Sequence, residues 1–378
     1  MKIFYKAVLP AGFRAAASAC GLKKNGKTDL ALFYSVFPAA TAAVFTANKM
    51  VAAPVVVCKE HLKKCRSARA IIANSGNANC FTGDPGLEDA RNTAGVLSRC
   101  LKIKKESVLV CSTGVIGKPL DFPRIAGAVP ELACKLSPKG IDQAKRAIMT
   151  TDKFPKEVTA KFKIGSREVT VCGVAKGAGM IAPDMATMFA FIFTDAAISG
   201  KLLPAALKAA VRDSFNCLTV DGCMSTNDTV ILMANGCAGN PPVEKAKDLK
   251  LFQEALNLVC LELARMMARD GEGASKFIEI KVEKARTYAE AKKAAMAVAN
   301  YNLFKCAVYG ENPNFGRIVA AVGACGIAVK EKDLKIDLGD LKKKEIKVTV
   351  SLGRGKASCT VYTSDLTPGY IKINAAYN

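Results

Sequence analysis

The chain has no tryptophan and a single histidine, His61, among 378 residues. The histidine shortage is the more restrictive. A Ser-His-Asp or Cys-His enzyme needs an imidazole inside a pocket, whereas His61 stands in KEHLKK, where the flanking charges predict a solvated face. Imidazole catalysis is set aside, so any enzyme here uses another base. Also absent are a G-x-G-x-x-G after a strand and a G-x-x-x-x-G-K-[ST], which removes the usual dinucleotide and P-loop phosphate cradles. The fifteen cysteines contain no C-x-x-C pair; they are scattered from Cys20 to Cys359, several in apolar runs such as 108–111 and 320–327. That is the pattern of reduced, buried thiols, and neither spacing nor histidine supply suits structural zinc, so no metal is expected. The longest uncharged stretch, 30–47, is interrupted by Ser35, Pro38, Thr41 and Thr46 and reads as two β segments rather than a membrane span. Lys6, Pro10 and Arg14 break any apolar core of a secretion signal. A cytoplasmic protein without a membrane partner is expected.

What is present is half apolar, enough for a large core and for two domains or one large one. Lys and Arg number 55 against 33 Asp and Glu, a formal +22 that attracts phosphates, anionic lipid or acidic metabolites. A basic nucleic-acid binder is one reading of that excess. The lysines are scattered or paired, however, without the interleaved aromatics of a stacking platform, so a lysine-rich solvated surface explains them more simply and no nucleic-acid partner is expected.

Along the chain, strand patterns fall at 29–37, 42–46, 52–58, 70–73, 107–111, 157–164, 168–174, 186–194, 229–234, 277–283, 344–352 and 357–363. Helical spacing falls at 87–100, 140–149, 205–215, 248–270 and 288–301. The mixture lacks strict alternation, which predicts an α+β fold.

Without histidine, a hydroxyl can be activated by making it the first residue of a chain, so that its own α-amine, with a pKa near about 8, serves as base. An internal Thr, Ser or Cys gains that position by self-cleavage, which needs a small preceding residue, a tight loop and a donor pair for the oxyanion. Ala186-Thr187, after KGAGMIAPDM, meets the first two requirements. By spacing alone, a β-branched residue entering a buried strand explains Thr187 better.

The residues of KGAGMIAPDMATMFAF nevertheless resemble the self-cleavage segment of the ornithine acetyltransferase family, the bifunctional glutamate N-acetyltransferases of arginine biosynthesis. NSGNANCFTGDPGLEDA, CSTGVIG, Thr150-Thr151-Asp152, VDGCMSTNDT, RDGEGASK, GENPNFGRI and YIKINAAY resemble further family blocks in the same order. The resemblance implies cleavage between Ala186 and Thr187, giving an α chain of 1–186 and a β chain of 187–378. It implies Thr187 as the nucleophile that carries the acetyl group, with Thr113 and Gly114 forming the oxyanion hole. Substrate contacts carried over by motif are Thr150, Lys176, Thr187, Glu272 and Asn374. Lys176 suits a carboxylate or carbonyl, Glu272 an ammonium, and Thr150 and Asn374 neutral hydrogen bonds.

The implied reaction moves acetyl from N2-acetylornithine to glutamate by a ping-pong route, with no cofactor and with acetyl-CoA as a second donor in some members. The implied fold is a helix-sheet-sheet-helix core shared by the two cut chains, with smaller α/β domains, and the implied assembly is a heterotetramer of two α and two β chains. The enzyme alternative is an N-terminal-nucleophile aminopeptidase or amidohydrolase, in which water takes the acyl group.

Some positions depart from the family pattern. Asp184 stands where Asn is frequent, Cys223 and Met224 where Asp and Thr are, and Phe315 where Trp is. The family carries a Ser or Thr five positions past its Asn. Here Asn378 is four positions past Asn374, so that contact is expected to be lost or replaced, with consequences for substrate affinity rather than for the chemistry.

Overall fold

The computed structural model describes residues 1–24, 26–182 and 188–376. Asp184, Ala186 and Thr187 therefore lie outside the described residues. The chain divides into two compact units. The first comprises Met1–Gly177, Thr187–Val211 and Ser225–Leu263; the second comprises Ala178–Ala186, Arg212–Met224 and Ala264–Asn378.

In chain order the elements are β1 (Lys2–Phe4), β2 (Phe13–Ser18), β3 (Leu30–Phe45), α1 (Ala53–Lys64), β4 (Ser67–Asn77), α2 (Gly83–Leu101), β5 (Val108–Val115) and α3 (Phe122–Cys134). Next come α4 (Ile141–Ala147), β6 (Lys156–Ile164), β7 (Arg167–Lys176), β8 (Phe189–Thr194), α5 (Leu203–Arg212), β9 (Thr229–Ala234) and α6 (Ala246–Arg269). The remainder is β10 (Phe277–Ala285), α7 (Tyr288–Ala299), α8 (Asn302–Tyr309), α9 (Gly316–Ala324), β11 (Lys335–Asp337), β12 (Glu345–Ser351), β13 (Ala357–Ser364) and α10 (Pro368–Ala376). The architecture is α+β, as the sequence pattern predicts.

The first unit is built on a nine-stranded mixed sheet in the order β1-β6-β7-β8-β9-β3-β4-β5, with β2 beside β3. Strand β3 makes this arrangement possible. Its first half pairs with β2 and β4 and its second half with β9, with a register shift between Tyr34 and Ala39. Pro38 falls in that irregularity, where a residue without an N–H costs no ladder bond. What the sequence suggests as two strands, 29–37 and 42–46, is thus one long strand bent at its proline. Phe33 meets Phe191 and Phe193 at ring-centroid distances of 5.2 and 5.4 Å, and Phe13 meets Phe193 at 5.2 Å. This aromatic core also takes in Ile141 and Ala144 of α4. On the other face of β3–β5, Leu30, Leu32, Ile72 and Val110 pack with Leu97 of α2 and Ile125 and Val129 of α3. A side chain at Gly173 of β7 would collide with Val259 and Leu263 of α6, at 2.6 and 2.8 Å, so α6 lies close against that strand.

Two expectations are corrected in this unit. The run 52–58 is the start of helix α1 rather than a strand, because Pro54 is tolerated in a first helical turn and Val55, Val57, Cys58 and His61 then fall on one buried face. His61 is accordingly buried, 5 % exposed, with Nδ1 at 2.7 Å from the Val108 carbonyl oxygen. Its charged neighbours take the outer face of the same helix, and a one-dimensional count of flanking charges could not separate the two faces.

The second unit carries a four-stranded sheet, β11-β12-β10-β13, with β10 and β12 parallel. Ile278, Ile280, Val282, Val348, Val350 and Val361 of its strands are buried, as are Ala291, Ala294, Ala295 and Val298 of α7. Seven of the fifteen cysteines are buried in the two units, four are exposed, and all are free thiols. The buried-thiol pattern therefore holds for about half of them.

Candidate active site

Near the end of strand β5, Thr113 and Gly114 pair in parallel with Ser75 and Gly76 of β4. Gly114 has φ +138°, and a Cβ there would meet the Gly76 carbonyl carbon and, at 2.5 Å, the Asn77 nitrogen. Backbone packs where a side chain would otherwise sit, so glycine is required. The neighbouring turn is pinned by Asn227, whose Nδ2 donates to the carbonyls of Ala78 and Ser112 at 2.6 and 2.7 Å.

Lys176, the last residue of β7, is 1 % exposed, and its Nζ donates to Thr113 Oγ1 at 3.2 Å. A hydroxyl that accepts from an ammonium keeps its own proton to donate, and is polarised to do so. The pair can therefore stabilise an oxygen on which negative charge develops. Lys176 also stands in register with Phe189 of β8, two residues beyond Thr187.

Thr150 is placed through Asp152. Asp152 Oδ2 accepts the Thr150 amide at 2.9 Å, while Oδ1 accepts Lys156 Nζ at 2.5 Å and the Gly177 amide at 2.7 Å. Burial pushes the Asp152 carboxyl up, but Lys156 and Lys176 outweigh it and hold the group well below the usual carboxylate range. One ionised carboxylate thus fixes both the Thr150 turn and the peptide that follows Lys176.

In the second unit, Glu272 and Asn374 meet. Asn374, on α10, donates from Nδ2 to Glu272 Oε2 at 2.8 Å and to the Tyr370 carbonyl at 3.0 Å. It belongs to a helix, not to a loose tail. Glu272 is nearly buried, its amide donates to the Ala178 carbonyl at 2.8 Å, and a Cβ on Gly179 would fall inside its carboxyl group. In the same unit Asp221 accepts the amides of Met180 and Ile181 at 2.7 and 2.9 Å, fixing the start of the segment that leads to Ala186.

The structure thus brings Thr113, Gly114, Thr150 and Lys176 onto neighbouring strand ends and turns of the first unit, and Glu272 and Asn374 together in the second. Ala186 and Thr187 lie outside the described residues. Sequence reasoning noted the blocks TTD and DGCMSTND without assigning work to Asp152, Asp221 or Asp228. The available signal was a lone carboxylate against an apolar run, as in NDTVILMA, since a charge beside a buried strand needs a partner. Among the described residues no group of three or more His, Cys, Asp and Glu could hold a metal ion, and no helix is long and apolar enough to cross a membrane.

The profile of the ArgJ family matches residues 14–343 and 338–378. The chain belongs to the ArgJ family. Within the family it is similar to the arginine biosynthesis bifunctional protein ArgJ of Geobacter sulfurreducens, 47% identical over 388 residues that cover 97% of this chain and 98% of the relative. It is also similar to the ArgJ protein of Symbiobacterium thermophilum, 43% identical with 97% of each chain covered. Among solved structures, an ornithine acetyltransferase from Mycobacterium tuberculosis complexed with ornithine is 37% identical over 48% of this chain and 97% of that one, with a TM-score of 0.44. As a member of the ArgJ family the chain is an acyltransferase of arginine biosynthesis.

Proposed function

We propose that this ArgJ-family chain cuts itself between Ala186 and Thr187 and then moves an acetyl group from N2-acetylornithine to glutamate through an acetyl-enzyme on Thr187. The observation that carries the reading is the buried Lys176–Thr113 pair beside the Gly114 backbone, a ready oxyanion site whose lysine ends β7, the strand in register with the residues just past Thr187.

In self-cleavage the Thr187 hydroxyl oxygen bonds to the Ala186 carbonyl carbon, the C–N bond breaks, and the hydroxyl proton passes to the leaving nitrogen. Water then hydrolyses the ester, which frees the hydroxyl and leaves an Ala186 carboxylate. The new α-amine is the base that histidine-poor chemistry requires. It takes the hydroxyl proton as Thr187 attacks the acetyl carbonyl of acetylornithine, and returns a proton to the departing ornithine amine. Glutamate's amine reverses the sequence and leaves as N-acetylglutamate.

Thr113 and the Gly114 amide donate to the oxyanion in both halves, and one such donor is worth about 2.7–4 kcal/mol. Thr150, Lys176, Glu272 and Asn374 contact substrate, Glu272 through an ammonium and Lys176 through a carboxylate or carbonyl. Acetyl-CoA belongs to the proposal as a second donor, in keeping with the word bifunctional in the relatives' names. The α chain of 1–186 and the β chain of 187–378 stay together in a layered core and assemble as two α and two β chains in the cytoplasm. The pairing of β8 with β7 and of β9 with β3 across the cut supports that arrangement.

Intact-mass measurement tests the reading, with two chains of 1–186 and 187–378 expected. Thr187→Ala is expected to remain one chain and to lose turnover. Full activity in an uncut chain would overturn the proposal. Ornithine release that ignores added glutamate would convert it to a hydrolase.

A further inference from the structure

Strand β9 is preceded by Asp228, which is 0 % exposed. Its Oδ1 accepts the Met188 amide at 2.9 Å. That N–H belongs to the peptide unit that joins Thr187 to Met188. The Met188 carbonyl in turn accepts the Thr229 amide at 3.1 Å, so residues 228–229 grip Met188 from both sides. Asp228 Oδ2 is buried and has no hydrogen-bond partner among the described residues. A hydrogen bond to a side chain is unnecessary merely to start a strand, because backbone pairing suffices, and a buried carboxylate oxygen without a donor is costly.

We propose that Asp228 is a positioning residue for self-cleavage, holding the planar peptide that follows Thr187 through Oδ1 while Oδ2 carries the proton that keeps the carboxyl neutral as the oxyanion forms. This role rests on the Thr187 reading and specifies it. Planarity transmits the constraint: fixing the Met188 N–H fixes the whole peptide unit, including the carbonyl of residue 187. Neutrality matters because an anion buried at this point would repel the charge that develops on the Ala186 carbonyl.

The surroundings agree. Burial pushes the Asp228 carboxyl up to about 8, against the opposing pull of the Met188 amide and the Lys176 ammonium. The titratable group facing it is Lys176 of β7, whose charge is shared with Asp152. The hydroxyls of Thr46, just past β3, and Ser225 also lie beside the carboxyl and pull it down more weakly still, without overcoming burial. Thr46 spends its proton on the Ser225 carbonyl at 2.7 Å.

The test uses full-length precursor made by cell-free translation in the cold, then shifted into buffers from about pH 6 to about pH 9.5, with cleavage at 186/187 followed by mass. Asp228→Asn keeps an oxygen acceptor for Met188 and cannot ionise. The ratio of wild-type to Asn-variant cleavage rates is expected to fall about tenfold between about pH 7 and about pH 9, as the wild-type carboxyl ionises and the amide does not. Asp228→Leu removes the acceptor and is expected to slow cleavage at least about tenfold at every pH. A ratio that stays flat across this range, or a folded Leu variant that cuts at the wild-type rate, overturns the assignment. Thr187→Ala separates the two claims. If that variant is still cut, the nucleophile reading falls as well; if it stays whole while the ratio is flat, the Asp228 role alone fails.

Discussion

The side chains of Asp152 and Asp228 are both buried in the first unit, and their environments drive them to opposite charge states. Asp152 receives three donors, from Lys156, Thr150 and Gly177, and the Lys156 and Lys176 charges together with hydrogen bonds from Lys156 and Gly177 outweigh desolvation. Asp228 has the Met188 amide on one oxygen and, among the described residues, no hydrogen-bond donor on the other, so desolvation prevails and the carboxyl is pushed up to about 8. The sign of the resulting pH dependence follows. The unfolded chain releases this proton near the ordinary carboxyl value of 3.8 while the folded chain keeps it to about 8, so stability is complete below the first value and is lost as pH rises through the second. Asp228→Asn is expected to flatten this decline. Thermal melts of the two proteins between about pH 4 and about pH 9 check it, and equal slopes would mean that Asp228 is ionised in the fold.

At the scale of single elements, β5 depends on Gly114 more than on any turn preference, because the β4 backbone occupies the place of its Cβ. Gly114→Ala is expected to cost about 1–3 kcal/mol and, by displacing the amide beside Thr113, to stop self-cleavage. Gly117→Ala is the control. Gly117 also has positive φ, but nothing lies within 4 Å of its absent side chain, so that variant pays backbone strain alone and still cuts. Chemical denaturation with intact mass distinguishes them; a Gly114→Ala protein that cuts normally would remove Gly114 from the oxyanion site.

Elements with unbroken periodicity were legible in the sequence: β9 matches its expected span, and α2, α6 and α7 lie close to theirs. Several that contain proline were not. Pro38 makes one strand look like two, Pro54 and the valines disguise α1, and Pro123 and Pro130 hide α3, whose buried Ile125, Val129 and Leu132 nonetheless face the core. Helix α9, which starts at Gly316 inside the GENPNFG motif, was hidden because turn residues overlap its first turn.

For the whole molecule, the cut expected at 186/187 falls where the second unit's segment 178–186 gives way to the first unit's segment 187–211, and the first unit holds chain from both sides of it. Strands from both sides of it share the nine-stranded sheet, and Phe33 from one side packs on Phe191 and Phe193 from the other. The two fragments are therefore expected to co-elute under native conditions, resist separation by high salt, and part only in denaturant, since buried apolar contacts are little affected by ionic screening. Size-exclusion chromatography in about 1 M salt tests this, and separation of the fragments there would show that the sheet does not hold them.

The sequence by itself determined the kind of chemistry that is open. One histidine and no phosphate cradle set imidazole and P-loop chemistry aside, because these follow from residue types and their order, whereas the nucleophile role of Thr187 is what the family resemblance implies. Tertiary structure decided what each polar side chain has as its environment: His61 inside instead of outside, Lys176 on Thr113, Asn374 on Glu272, and Asp228 buried on the Met188 amide. Burial and partnership depend on segments far apart in the chain, and they set charge states that no local pattern contains.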